Sequence, residues 1–156
     1  MSGQRQHDEN FMALAIREAE RAASEGEVPV GAVIVDGCGT VVSAAHNLRE
    51  SASDATAHAE ILAIRRACRV IGGWRLSGTS IYVTLEPCAM CMGAIVNARI
   101  DRLVFGAADP KGGAIVSNFR IGAGNELNHR VEFLGGICAE RCSSILEDFF
   151  RKLRDS

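Results

Sequence analysis

The chain holds 156 residues, 47% hydrophobic and 23% charged, a composition that suits a folded protein and excludes a largely disordered one. Its 17 Lys and Arg stand against 19 Asp and Glu, and a net charge of −2 excludes a globally basic nucleic-acid wrapper while leaving room for a local basic patch. The polar opening Met1–Asn10 has no signal-like apolar run, Val28 to Val35 is too short to span a bilayer, and six cysteines without a leader point to a cytoplasmic chain whose thiols stay free or bind metal.

Phe11, Leu14, Ala15, Ala19, Ala22 and Ala23 recur at spacings of three and four, which predicts an amphipathic helix with Asp8 as N-cap and Gly26 as terminator. Val28 to Val35 is an apolar run rich in β-branched residues, the pattern of a strand covered on both faces. Asp36-Gly37 turns it into a second strand at Thr40 to Ala45. A helix is predicted over Ala57 to Val70, with Ile61, Leu62, Ile64 and Ala67 on its apolar side and Arg65, Arg66 and Arg69 on a solvated face. Ser80 to Leu85 reads as a strand, Cys88 to Ala98 as a helix, and Arg102 to Gly106 as another strand. Ala107 to Asn128 lacks a period and is rich in Gly and Asn, which predicts loop with at most a short helix. Val131 to Leu134 makes a last strand. Cys138 to Leu153 makes a closing helix, with Ile145, Leu146, Phe149 and Phe150 on one side and the thiols of Cys138 and Cys142 buried. No repeat or low-complexity run divides the chain. Residues 1–156 are therefore expected to form one domain, with residues 1–8 outside its ordered part. Helices interleaved with about five strands give an α/β sandwich around a mixed sheet.

Two segments carry chemistry, His58-Ala59-Glu60 and Pro87-Cys88-Ala89-Met90-Cys91, each where a loop turns into a helix. Cys88 and Cys91 lie three residues apart at a helix start, so both sulfurs reach one ion, and the positive helix end favours their thiolates. With His58 they form a Cys₂His set that leaves a fourth tetrahedral position open, the arrangement of a catalytic zinc. Glu60, two residues along a helix from His58, points away from it and suits a proton-transferring base better than a ligand. Spacing alone leaves two other readings. Cys88 and Cys91 also fit a redox pair, or half of a closed structural zinc site with Cys38, Cys68 or His46 as the fourth ligand.

His-x-Glu followed by Pro-Cys-x-x-Cys resembles the signature of the zinc nucleobase deaminases. The likeness extends through Glu27-Val-Pro-Val-Gly-Ala-Val33, Thr56-Ala-His-Ala-Glu-Ile61, Tyr82-Val-Thr-Leu-Glu-Pro-Cys-Ala-Met-Cys91 and Arg102-Leu-Val-Phe-Gly-Ala107. It continues in Asp109-Pro-Lys-Gly-Gly113, Asn128-His-Arg-Val131 and Phe149-Phe-Arg-Lys-Leu-Arg154. From Phe11 to Arg154 the sequence resembles the bacterial tRNA adenosine deaminases. Ala55, where that family often has Pro, and Ala108, where a larger residue is common, depart from its pattern and alter the substrate-facing loop.

The resemblance implies a cytidine-deaminase-like three-layer α/β/α sandwich with a mixed five-stranded sheet. It assigns His58, Cys88 and Cys91 to one zinc ion per chain and Glu60 to proton shuttling. It makes Asn47 the residue that holds the target nucleoside, and it sets Asp109 and Lys111 against the neighbouring nucleotides. Phe149, Arg151, Lys152 and Arg154 combine a stacking face with positive charge, as single-stranded RNA binding wants. The implied reaction is hydrolytic deamination of the wobble adenosine of a tRNA anticodon stem-loop to inosine. The competing readings are a deaminase of free guanine or cytosine and a non-catalytic zinc scaffold that binds tRNA. Cys88 to Ala98 is apolar around most of its girth, so a homodimer is expected to cover it.

Overall fold

The computed structural model describes residues 2–156. Its elements in chain order are α1 (Ser2–Ser24), β1 (Gly31–Val35), β2 (Val41–His46), α2 (Ala59–Ile71), β3 (Ser80–Leu85), α3 (Ala89–Asn97), β4 (Arg102–Ala107), β5 (Glu132–Leu134) and α4 (Ala139–Asp155). The five strands form one sheet in the order β2-β1-β3-β4-β5. β1 pairs antiparallel with both β2 and β3, while β3, β4 and β5 run parallel, so the sheet is mixed. Alternate residues of the strands face two cores. Ala32, Ile34, Ile81, Val83, Leu103 and Phe105 meet α2 and α3 on one side. Val33, Val35, Tyr82 and Val104 meet α1 and α4 on the other. This is the expected α/β/α sandwich.

The close approach of α1 to the sheet needs a residue without a side chain: a Cβ at Gly31 would lie 2.0 Å from the Ala15 carbonyl oxygen. Several boundaries move for physical reasons. α1 begins at Ser2, so residues 2–8, expected outside the ordered part, are helical; Met1 lies outside the described residues. Asp8 is therefore no N-cap. It is a fully buried carboxylate that takes two 2.8 Å hydrogen bonds from Arg102, one from the Tyr82 hydroxyl at 2.7 Å and one from Gln4. That cluster fastens the start of α1 to β3 and β4. β1 starts at Gly31, because Pro29 has no N–H for the ladder and the Val30 amide bonds locally to the Val28 carbonyl. Cys138 stands just outside α4 in the left-handed region, φ 56°, and is half-buried, whereas Cys142 is buried as expected.

Residues 108–128 form turns without a helix. Within them Ala114, Ile115, Val116, Ile121 and Ala123 pack into the core beside α3. That segment buries Met92, Ile95 and Val96, so the apolar girth of α3 is covered mostly from within the chain, and the ground for expecting a second copy is narrower than the helix alone suggested.

Candidate active site

His58 and Cys88 are the N-cap residues of α2 and α3, both in extended backbone, and neither side chain caps its own helix. The two helix starts therefore bring an imidazole and a sulfur together, and Cys91, one turn into α3, adds a second sulfur. His58 Nδ1 lies 3.7 Å from Cys88 Sγ and 3.5 Å from Cys91 Sγ. The three ligand atoms all fall within 4.8 Å of one another, a group that could hold a metal ion. Among the described residues no fourth His, Cys, Asp or Glu joins them. His46 is held elsewhere, between Glu18 at 2.9 Å and Glu25 at 3.0 Å. Cys38 is exposed in the β1–β2 turn, and Cys68 lies against the Trp74 carbonyl. The closed four-ligand reading thus finds no fourth ligand among its three candidates.

The electrostatics favour a charged thiolate. Hydrogen bonds from Cys91 and His58 hold the Cys88 thiol down to about 3. The hydrogen bond with Cys88 raises His58 above its ordinary value, and that same neighbour, with burial, pushes Cys91 up. Glu60 is buried beside Cys91, and burial pushes its carboxyl up to about 7 against the pull of its own amide and of His58. A carboxyl that titrates near neutrality can both take and give a proton there.

His58, Glu60 and Cys88 line a cavity of about 180 Å³, whose walls also include Val28, Asn47, Arg49, Leu85, Glu86 and Asp109. Asn47 is in place but partly committed: its Oδ1 accepts the Ala59 amide at 2.8 Å and its Nδ2 donates to the Val28 carbonyl. It therefore braces the start of α2 as well as lining the cavity. Asp109 is also in place, with Oδ1 accepting the amides of Lys111 and Gly112. Lys111 is exposed and outside the walls.

A groove of about 370 Å³ shares Val28, Asn47 and Arg49 with the cavity and is bounded by Phe149, Phe150 and Leu153 of α4. Phe149 and Phe150 meet edge to face at 5.4 Å. Arg151 pairs with Asp148 on its own helix, and Arg154 is exposed. Lys152 borders a separate surface pocket with Glu20, Ile145 and Asp148. The basic residues thus stand beyond the groove. Sequence reasoning missed Arg49 and Glu86 as cavity walls and Leu153 in the groove. Glu86 had a usable signal, an acidic residue amid an apolar strand end directly before Pro87-Cys88. Arg49 had none beyond its nearness to Asn47.

Residues 6–154 match the family model of the MafB19-like deaminases. The chain is 48% identical over 147 residues to a tRNA-specific adenosine deaminase of Bacillus subtilis (strain 168), covering 94% of this chain and 91% of that one. It is 49% identical over 148 residues to the one of Aquifex aeolicus, at 95% and 97% coverage. The chain belongs to the tRNA-specific adenosine deaminase family. A solved structure from a study of A-to-I editing by tRNA:A34 deaminases at the wobble position of transfer RNA superimposes with a TM-score of 0.84. It is 45% identical and is covered over 99% of its length by 88% of this chain. A guanine deaminase from Nitrosomonas europaea superimposes with a TM-score of 0.76 at 20% identity, over 90% of this chain and 83% of that one, a likeness of fold alone. In this chain the cavity and the adjoining aromatic groove share Val28, Asn47 and Arg49, and together they bring the starts of α2 and α3 and the end of α4 to one region.

Proposed function

We propose that this chain is a zinc-dependent deaminase that converts the wobble adenosine of a tRNA anticodon stem-loop to inosine. The observation that carries the reading is Glu60, a buried carboxyl in the cavity wall beside the His58, Cys88 and Cys91 trio, in a chain nearly half identical to tRNA-specific adenosine deaminases. The trio fits zinc. Zn–S and Zn–N bonds of about 2.3 and 2.05 Å at a tetrahedral angle imply N···S separations of about 3.6 Å. The 3.5 and 3.7 Å separations bracket that value. Bound there, zinc supplies Lewis-acid activation of the attacking water.

The rest of the work falls to the chain's own groups. The cavity, with Asn47 and Asp109 in its walls, takes a single splayed-out base, which costs least where the base is already unpaired. Glu60 takes one proton from the water and delivers it to N1 of adenine, which makes C6 open to attack. The water's oxygen bonds C6. Glu60 then takes the remaining proton from the new C6 hydroxyl and passes it to the amino group as the C6–N bond breaks, so that water plus adenosine becomes inosine plus ammonia. Phe149 and Phe150 bound the adjoining groove, a stacking face for a flanking base, and Lys111, Arg151, Lys152 and Arg154 meet phosphates farther along the RNA.

The chain acts in the cytoplasm, consistent with six free cysteines and with no described helix long and apolar enough to cross a membrane. It pairs as a homodimer, for which Met90, Phe119 and Leu127 offer exposed apolar surface. Inosine analysis after incubation with anticodon stem-loops tests the reading. Inosine at the wobble position alone is the expected result, and none in a metal-replete enzyme would overturn it.

A further inference from the structure

Two irregular segments contribute to the cavity wall, residues 47–51 through Asn47 and Arg49 and residues 109–117 through Asp109. Each is fastened to a buried carboxylate that forms no ion pair among the described residues. Glu86 is the larger hub. Its Oε1 accepts the Asp109 amide at 3.1 Å and the Ser117 hydroxyl, and its Oε2 accepts the amides of Ile115, Val116 and Ser117 at 2.9 to 3.2 Å. The segment passes so close that a Cβ at Gly113 would lie 2.3 Å from the carboxylate carbon. Glu27 does the same for the other segment. Its Oε1 accepts the Glu50 amide at 3.1 Å, and its Oε2 accepts the Ser51 amide at 2.7 Å and the Ser51 hydroxyl.

A buried carboxylate without a counter-charge is tolerated only when enough dipoles point at it. Here those dipoles are the amides and hydroxyls of the two segments themselves. The dependence is mutual: each charge needs its segment folded this way, and each segment lies outside any sheet or helix ladder, held otherwise by single backbone hydrogen bonds and, at Ala114 to Val116, by packing on the core. What the segments carry is the cavity wall. Asp109 is fixed through its own amide, and Arg49 stands between Leu48 and Glu50, the latter tied to Glu27.

We propose that Glu27 and Glu86 are positioning residues that order the two lips of the cavity before substrate arrives, so that they act on substrate affinity rather than on proton transfer. The proposal rests on the deaminase reading for its substrate but not for its structural half. Ordered lips lower the entropy lost on binding, and loose lips raise KM more than they lower kcat.

The test uses Glu86→Gln and Glu27→Gln in the zinc-loaded protein. An amide keeps the shape but turns an NH₂ toward N–H donors, whichever way it is placed. Three measurements are made on each: zinc content, hydrogen exchange at individual amides, and KM and kcat on an RNA anticodon stem-loop. Glu86→Gln is expected to speed exchange about tenfold or more at Asp109, Ile115, Val116 and Ser117 only, and Glu27→Gln at Glu50 and Ser51 only. KM is expected to rise about tenfold in each, with a smaller change in kcat and zinc retained. Ser117→Ala and Ser51→Ala, each removing one hydroxyl donor, are expected to shift exchange and KM the same way by less, and they carry the test if Glu86→Gln fails to fold. Unchanged exchange, or faster exchange with KM untouched, would overturn the proposal. If the intact protein deaminates no RNA, the functional reading fails on its own while the exchange data still decide whether the carboxylates clamp the lips.

Discussion

Glu60 shows how much one position can depend on its surroundings. An exposed glutamate is ionised at neutral pH and gives up its proton too readily to protonate a purine nitrogen. Burial in the cavity wall lifts it to about 7, where acceptance and donation are balanced. Glu60→Gln keeps the volume but cannot carry the proton, so single-turnover deamination is expected to fall by at least about 100-fold while zinc and RNA binding persist. Loss of zinc in that variant would make Glu60 a ligand. Cys88→Ser or Cys91→Ser is expected to abolish stoichiometric zinc, because an under-held ion escapes to chelators; metal analysis after dialysis checks it, and full occupancy in both variants would refute the three-ligand site. Asn47 is a different case, since it does two jobs. Asn47→Ala removes the acceptor for the first amide of α2, so a stability loss of about 1 kcal/mol is expected beside any loss of substrate affinity. Thermal unfolding of the metal-loaded variant separates the two effects.

At the scale of elements, α1 is held by charge as well as by packing. Burial raises the Asp8 carboxyl, but the Arg102, Tyr82 and Gln4 hydrogen bonds outweigh it and leave Asp8 below its ordinary value. A carboxylate depressed by folding stabilises the native state above its unfolded value near 3.8 and loses that contribution as pH falls through the folded value. Asp8→Ala is expected to lower stability at pH 7 by about 3 kcal/mol, because Arg102 loses its partner, and to flatten the decline below about pH 4. Urea unfolding at a series of pH values reads both. Nothing in the local sequence marked Asp8 for this role. Arg102 is 94 residues away, and a polar residue ahead of an apolar period reads naturally as a cap. The strands and α2, α3 and α4 were legible because their apolar periods match the two cores. His58, Cys88 and Cys91 stood out as a possible ligand set by type and spacing, and the structure brings their ligand atoms within 4.8 Å of one another. Choosing among the readings that spacing left open, and giving Glu60 its role, rested on the family resemblance. Glu86 carried a local signal, its place directly before Pro87-Cys88, but its partners at 109–117 and those of Glu27 at 50–51 lie in distant loops. One-dimensional spacing does not carry those contacts or the cavity position of Arg49.

For the whole molecule, the charge of −2 limits how RNA is held. Without a global positive field, affinity must come from the aromatic groove and from a few cations at the end of α4. That end stands beyond the groove rather than at the cavity, so on the proposed reading its cations would meet phosphates outside the target nucleotide and add little to the chemistry itself. Lys152→Ala with Arg154→Ala is therefore expected to weaken stem-loop binding and to reduce the slope of log affinity against log salt by up to about 1.5. An unchanged slope would place the phosphates elsewhere, with Arg49 the next cation to test. Substrate choice follows from the same layout. A cavity that opens into a groove spreads affinity over neighbouring nucleotides, whereas an enzyme for a free base draws it all from one pocket. RNA stem-loop, its DNA counterpart, free adenosine, guanine and cytosine, compared by kcat/KM, should rank with the RNA stem-loop first. A free base turned over as efficiently as the stem-loop would mean that the groove at Phe149 and Phe150 plays no part in recognition, and the tRNA reading would fall with it.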